Sequence, residues 1–297
     1  MPNFIIFGAM KSGTSSIYIY LKQHPDIFMS PVKEPGFFAF EGEKTIEGPG
    51  VQEWFDRNIV KDLESYQKLF TEHQQEKAIG EASPFYIYYE KAAENIKKYL
   101  PDVKLIAILR NPADRAFSNY VYALSSGGEN LSNFQDALAA ESERINKNWV
   151  PKWHYKNAGF YYRQLKPYYE RFDREQIKIC LYENFVSNPN LFMQDIFKFL
   201  EVDSSFTPDM SRKYNRSLVP RNQLLNKFLI ESNPVKSAIK YFLPSKLSQK
   251  LKRKAFKKNL HKPELQPKIR QQLMTEYQED IFKLQQLTHQ DFSSWLL

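Results

Sequence analysis

The stretch Phe4-Ile5-Ile6-Phe7-Gly8-Ala9-Met10-Lys11-Ser12-Gly13-Thr14-Ser15 decides the architecture. Asn3–Phe7 is a short apolar run that reads as a strand, and Ser15–His24 follows with helical periodicity. A loop bracketed by Gly8 and Gly13 joins them. Strand, glycine-bracketed loop and helix N-terminus together present backbone N–H groups and the positive end of a helix dipole to an anion. A nucleoside triphosphatase loop would read G-x-x-x-x-G-K-[ST]. Gly8 and Gly13 keep that spacing, but Thr14 stands in the lysine slot and the lysine lies inside the loop, at Lys11. From the loop apex Lys11 can reach a terminal anionic group or the oxygen bridging it, while Thr14 and Ser15 offer hydroxyls and N–H groups to the adjacent phosphate. A turn that only connects strand to helix needs neither the lysine nor the hydroxyl pair.

Outward from this loop the pattern alternates. Lys77–Glu81, Val103–Leu109 and Ile177–Tyr182 read as strands; Ala92–Leu100, Asp114–Leu124, Phe160–Phe172, Asn190–Leu200 and Pro267–Leu287 read as helices. Short apolar runs are strands buried on both faces, and strands separated by helices imply parallel units. The expected fold is α/β, with a central, mostly parallel sheet flanked by helices and a P-loop-like anion loop after the first strand. No internal repeat or Pro/Gly/Ser-rich linker divides the chain. A single domain over residues 1–297 is expected, with a basic segment (236–262) and a C-terminal helix (264–287) as elaborations.

The 297 residues carry 42% hydrophobic and 15% aromatic residues, which excludes disordered and low-complexity classes. No stretch approaches the roughly 18 apolar residues that span a bilayer, and Met1–Gly8 runs into the first strand without a basic leader region. A soluble, cytoplasmic protein is expected. The single cysteine, Cys180, lies in an apolar run and reads as a buried strand thiol. The net charge of +8 is unevenly placed: residues 236–262 hold ten Lys/Arg and no Asp or Glu. Part of this block, Val235–Phe256, fits an amphipathic helix on either side of Pro244. A block of this kind is a solvated face or an anion-binding patch.

In parallel sheets, ligands bind outside the carboxyl ends of the strands. Arg110 follows the strand Val103–Leu109 in the run Arg110-Asn111-Pro112-Ala113-Asp114-Arg115-Ala116-Phe117-Ser118. Its guanidinium is placed for bidentate phosphate binding at the same sheet edge as the first loop, and Ser118 lies two turns into the next helix. Taken alone, a strand-capping ion pair with Asp114 explains Arg110 equally well.

Together these pieces resemble the sulfotransferases that use 3′-phosphoadenosine 5′-phosphosulfate (PAPS). Gly8–Ser15 is similar to that family's loop for the 5′-phosphosulfate, which implies that Lys11, Ser12, Gly13, Thr14 and Ser15 bind the donor. Arg110 and Ser118 match its 3′-phosphate site. His24-Pro25-Asp26, Lys33-Glu34-Pro35-Gly36-Phe37-Phe38, Gly80-Glu81-Ala82-Ser83-Pro84, Gly159-Phe160-Tyr161 with Gln164-Leu165, and Tyr182-Glu183-Asn184-Phe185 resemble the Golgi heparan sulfotransferases and their soluble bacterial relatives. The match runs in order from residue 3 to about 200. The resemblance also implies Tyr161 near the nucleotide. It implies a late basic loop over the 3′-phosphate, either Arg216 to Arg221 or Lys254 to Lys262, with Arg221, Lys257 and Lys258 as its candidates. The product would be adenosine 3′,5′-bisphosphate (PAP), and no metal is expected.

Sulfuryl transfer requires in-line attack by a hydroxyl or, less readily, an amine, a base for its proton, and cationic help for the leaving phosphate. Lys11 is suited to the bridging oxygen. The resemblance assigns the base to Glu34; a carboxylate partly buried by Phe37 and Phe38 suffices chemically. Pairing with Lys33 is the plain alternative for Glu34. Among the histidines, His24 reads as structural, His73 and His289 as exposed in polar helical surroundings, and His154 and His261 as able to reach an acceptor. Where several heparan enzymes carry E-K-T-P, this chain has Glu81-Ala82-Ser83-Pro84, and Ala82 cannot hold an acidic sugar by charge. The expected acceptor is thus a small molecule, lipid or saccharide. Two or three cations suffice for one phosphate; the surplus would face an anionic acceptor, solvent, or a membrane surface at roughly 1 kcal/mol per basic residue.

Two other classes compete. A magnesium-dependent kinase or nucleotide triphosphatase needs a lysine after Gly13 and an acidic strand end, and of the strand ends only Glu183 could serve. A nucleic-acid or membrane-binding module accounts for residues 236–262 but leaves Gly8–Ser15, Arg110 and Ser118 without a role, so nucleic acid is not an expected partner.

Overall fold

β1 (Phe4–Gly8) is buried along its whole length and lies in the middle of a five-stranded sheet. In this computed structural model the described residues are 1–211 and 263–296, with the backbone alone of 219–220 and 260–261. Arg216, Arg221, Lys257, Lys258, the side chain of His261 and the expected helix in Val235–Phe256 lie outside them.

The sheet order is β2 (Ile27–Met29), β3 (Ala78–Ala82), β1, β4 (Lys104–Leu109), β5 (Ile177–Leu181), and every neighbouring pair is parallel. Alternate residues of the strands face opposite layers. Ile5, Phe7, Leu105, Ala107 and Leu109 join one core, and Phe4, Ile6, Ile106, Ile108 and Cys180 join the other. Burial on both faces explains the unbroken apolar runs, at about 1.5–3 kcal/mol for each large side chain removed from water. Cys180 is part of this core, and burial pushes its thiol up to about 12.

α1 (Thr14–Leu21) and α11 (Pro189–Phe199) cover the second core through Ile17, Leu21, Met193, Ile196 and Phe197. The other face carries α5 (Glu90–Tyr99), α6 (Pro112–Ser125), α9 (Tyr161–Tyr169) and the C-terminal α12 (Pro267–Thr288). The C-terminal helix thus begins at Pro267 rather than at 264. Pro267 occupies its first turn, where a missing N–H costs nothing. The shorter α2 (Phe37–Phe40), α3 (Val51–Asn58), α4 (Leu63–Lys68), α7 (Phe134–Ala139) and α8 (Glu141–Asn146) fill the connections. α10 (Tyr182–Ser187) starts directly at the end of β5, so Tyr182 is helical rather than the last strand residue. Val219–Pro220 and Leu260–His261 form β6 and β7, an antiparallel pair.

Strand order positions the site. β1 has β3 on one side and β4 on the other, so three carboxyl ends meet there. The register of β1 breaks between Ile6 and Gly8, and the chain leaves the sheet with Ala9 N–H donating to Ile108 O at 2.8 Å. On the other side Ser83 N–H donates to Ile6 O at 3.0 Å. The loops after β1, β3 and β4 therefore emerge side by side. Among the described residues, no helix is long and apolar enough to cross a membrane.

Candidate active site

The loop after β1 is shaped by two glycines. Gly13 is the N-cap of α1 at φ 86°, a left-handed backbone in which a side chain is strained, and a Cβ there would meet Tyr182 and Phe185 at about 3.3 Å. A Cβ on Gly8 would come within 2.8 Å of Ile87. Between them, Ser12 is wholly buried and its Oγ has no hydrogen-bond partner among the described residues. Thr14 and Ser15 open α1 and line a cleft of about 1220 Å³ outside the sheet edge.

Lys11, Glu34, Arg110 and Ser118 line that same cleft. Lys11 is held in left-handed conformation (φ 69°) at the loop apex. Its amine lies 3.9 Å from the centroid of the Tyr122 ring. Burial pushes the Lys11 ammonium down to about 8, the Arg110 charge adds to the effect, and Glu34 opposes it. Arg110 extends from the end of β4 and donates from its guanidinium to the Lys11 carbonyl at 3.3 Å, while its flat face covers Tyr182 at 4.8 Å. The two cations predicted to share a site do share one.

The turn carrying Arg110 is fixed from both sides. Asn111 caps α6, its side chain accepting from Ala113 N–H at 3.1 Å and Asp114 N–H at 3.2 Å, with Pro112 in the first turn. Glu183, from the start of α10, accepts the Asn111 N–H at 3.0 Å. Ser118 and Tyr122 stand one and two turns beyond Asp114 on the face of α6 that lines the cleft. Asp114 pairs with Arg270 of α12 at 3.7 Å rather than with Arg110.

Glu34 sits in the loop before α2, also left-handed at φ 63°, with its N–H donating to Ala82 O at 3.0 Å. Its side chain is 32% exposed and paired with Lys33, so the plain pairing and the position in the cleft hold together. Phe37 and Phe38 do not form its pocket as expected. Both are fully buried in an aromatic cluster with Tyr66 and Tyr99, because α2 turns them under the loop.

Tyr161 does not form part of the cleft wall. Its ring is wholly buried beside Trp295, and its hydroxyl donates to the Arg110 carbonyl at 2.9 Å, so it supports the arginine turn instead of offering a face to a base. His154 is likewise buried away from the cleft wall, its Nδ1 2.7 Å from the Tyr88 hydroxyl, and burial lowers its imidazole to about 4. His24 is buried between Asp26 N–H at 3.0 Å and Asp203 O at 2.9 Å, a structural role. His73 and His289 are exposed, though in a loop and at a left-handed helix end rather than within helices. Tyr122 and Arg270 were not found by sequence reasoning. The i, i+4 step from Ser118 to Tyr122 is the signal that points to the first; nothing in the sequence pairs Arg270 with Asp114.

A model of the Sulfotransferase family matches residues 2–208. The crystal structure of a sulfotransferase from Alicyclobacillus acidocaldarius is 34% identical and superposes with a TM-score of 0.78, over 99% of this chain and 98% of that one. The membrane-associated sulfotransferase kil1 of Dictyostelium discoideum is 36% identical over 42% of this chain and 23% of its own length. The heparan sulfate glucosamine 3-O-sulfotransferase 3A1 of Mus musculus is 26% identical over 67% of this chain and 46% of its own length. The chain thus spans less than half the length of these two curated relatives.

Proposed function

Because this chain belongs to the sulfotransferase family, we propose that it moves a sulfuryl group from PAPS to an acceptor hydroxyl or, less readily, an amine. The observation that carries this reading is the convergence of Lys11 and Arg110, from adjacent strand ends, on one cleft. The residues suit a nucleotide with two anionic ends. Ser12 offers a buried hydroxyl with no partner among the described residues, and burial first, then the nearby Arg110 charge, depresses Lys11. An anion between them would relieve that repulsion.

In this reading Lys11, Thr14, Ser15 and the N–H groups around Ser12 and Gly13 hold the 5′ end of the donor, and Arg110 and Ser118 hold the 3′-phosphate. Arg221, Lys257 and Lys258 remain proposed contributors to that second subsite. Bound there, PAPS supplies the sulfuryl group and departs as PAP. Glu34 takes the proton from the acceptor as its oxygen attacks. Lys11 meets the negative charge that develops on the departing phosphate oxygen, a task for a protonated amine. The acceptor enters past Phe40, Val51, Trp54, Phe85 and Tyr89, which give the cleft an apolar wall suited to the ring or chain of a small molecule, lipid or saccharide.

Calorimetry with PAP tests the reading. Binding that a chelator leaves unchanged supports it, and so does mass gain of one sulfonate on an acceptor incubated with enzyme and PAPS. Absence of PAP binding, together with magnesium-dependent binding of ATP, would overturn it.

A further inference from the structure

Behind the cleft lies a carboxylate with no part in the scheme above. Glu81, on β3, is fully buried, and each of its oxygens accepts from hydroxyls: Oε1 from Tyr86 at 2.8 Å and Tyr66 at 3.1 Å, Oε2 from Ser83 at 2.7 Å. A buried carboxylate without a cation is costly, and three O–H donors are the compensation that the structure supplies.

Two of these hydroxyls do a second thing. Ser83 Oγ accepts the Gly36 N–H at 3.3 Å, and the Tyr86 hydroxyl accepts the Phe38 N–H at 3.4 Å. A hydroxyl has one hydrogen to give. With that hydrogen directed at Glu81, its lone pairs face the backbone, so each relay runs from an N–H of the Glu34 loop through a hydroxyl to the buried carboxylate. The residue after Glu81 adds a third tie, the Ala82 carbonyl accepting the Glu34 N–H at 3.0 Å. Glu34 itself occupies a left-handed backbone that non-glycine residues hold only when their surroundings impose it, at a cost of about 1–3 kcal/mol.

We propose that Glu81 is a positioning residue: through Ser83 and Tyr86 it holds residues 34–38, the Glu34 loop and the start of α2, in the conformation that presents the Glu34 carboxylate to the cleft. The proposal rests on the sulfuryl-transfer reading for its effect on rate, but not for its effect on the loop. The relays have their stated polarity only while Glu81 is an acceptor at both oxygens. Protonation would turn one oxygen into a donor facing a donor. The groups that face Glu81 are Tyr66 from α4, Tyr86 and Ser83 from the turn after β3, Tyr168 from α9, and the charge of Glu34 from its loop. Burial first, opposed by the three hydroxyls and with Glu34 adding to it, sets the Glu81 carboxyl at about 7. The positioning is therefore complete above that pH and is lost as pH falls through it.

The test compares wild type with Glu81→Gln, Ser83→Ala and Tyr86→Phe. Gln keeps the shape but points an N–H₂ at a hydroxyl, Ala removes the acceptor of the Gly36 N–H, and Phe removes that of the Phe38 N–H. We expect faster hydrogen exchange at Gly36 in Ser83→Ala, at Phe38 in Tyr86→Phe, and at both in Glu81→Gln. We expect kcat to fall at least about tenfold per PAP-binding site, with PAP affinity within about twofold of wild type. In Glu81→Gln the acid limb of kcat should also move to lower pH, which loss of folded protein alone would not produce. Wild-type exchange at residues 34–38 in the two relay variants would overturn the proposal, and so would wild-type kcat in a folded Glu81→Gln. Should Glu81→Gln fail to fold, the two relay variants decide alone. PAP binding and turnover by the wild type read the function separately: if both were absent, exchange at Gly36 and Phe38 would still report on the relays.

Discussion

Binding of PAP should take up protons, and the amount follows from Lys11. In the free protein, burial and the Arg110 charge set this amine at about 8. The negative charge of a phosphate beside it outweighs both influences and returns the group toward the ordinary lysine range near 10.4. At pH 8 half of the amines are neutral before binding, so about half a proton enters per PAP; the figure is about one-tenth at pH 7 and about nine-tenths at pH 9. At pH 8 and above the ligand adds little, because phosphate monoesters lose their second proton at a pKa of roughly 6; at pH 7 its two phosphates still carry about one-tenth of a proton each, which offsets the uptake by Lys11. Since the protonated amine is the binding form, affinity is full below pH 8 and declines as pH rises through it, by about tenfold between pH 7 and 9, or about 1.4 kcal/mol. Calorimetry at each pH, in two buffers of different ionisation heat, measures both quantities. Lys11→Met should abolish the uptake while leaving residual binding through Arg110. Buffer-independent heats at pH 8 and 9, or unchanged uptake in Lys11→Met, would refute the assignment of this amine to the anion.

Three further substitutions address separate parts of the molecule. Arg110→Ala should weaken PAP by about 2 kcal/mol, the order of a lost charge-assisted pair, and an unchanged Kd would remove Arg110 from the 3′-phosphate subsite. Glu34→Gln should lower transfer by at least about a hundredfold and leave PAP affinity intact; a variant that still turns over normally would hand the base role to another group. Arg144→Ala leaves Glu129 buried without the guanidinium that meets it at 2.7 and 3.0 Å, so urea unfolding should show a loss of about 3–5 kcal/mol, and a loss below about 1 kcal/mol would show that Glu129 finds another partner.

What could be read from sequence followed the strength of its periodic signals. β1, β3, β4 and β5 were legible because both faces of each are buried, leaving apolar runs with few interruptions. β2 escaped because it has only three residues, and α3 and α4 because two turns are too short for helical periodicity to stand out. Lys11 and Arg110 were legible because each follows a recognisable strand. Glu34 was not, since adjacent Lys33 gives it a sufficient local explanation; only the resemblance of its surroundings singled it out. Tyr161 was misplaced because an aromatic near a site looks the same in sequence whether it faces a ligand or, as here, carries a carbonyl from behind. The buried Glu81 relays join residues 36 and 38 to 81, 83 and 86, a pairing that exists only once β3 lies against the loop of Glu34.

The two side chains assigned to the chemistry share one backbone feature. Lys11 and Glu34 are both non-glycine residues in the left-handed region, each at the tip of a loop leaving the carboxyl edge of the sheet. Such backbones cost about 1–3 kcal/mol and persist only where surrounding bonds impose them. The imposing bonds are visible: the Arg110 guanidinium donates to the carbonyl of Lys11, and the Ala82 carbonyl accepts from the N–H of Glu34. Each of the two residues is thus held by the loop of a neighbouring strand, Lys11 from β4 and Glu34 from β3, with β1 between them. Glu183, the acidic residue at the end of β5, is engaged by the Asn111 N–H and so stiffens the arginine turn. In the proposed reading, phosphate charge would be met by two cations whose loops are joined by the bond from Arg110 to the Lys11 carbonyl, which would make alignment of donor and base a property of the strand order itself.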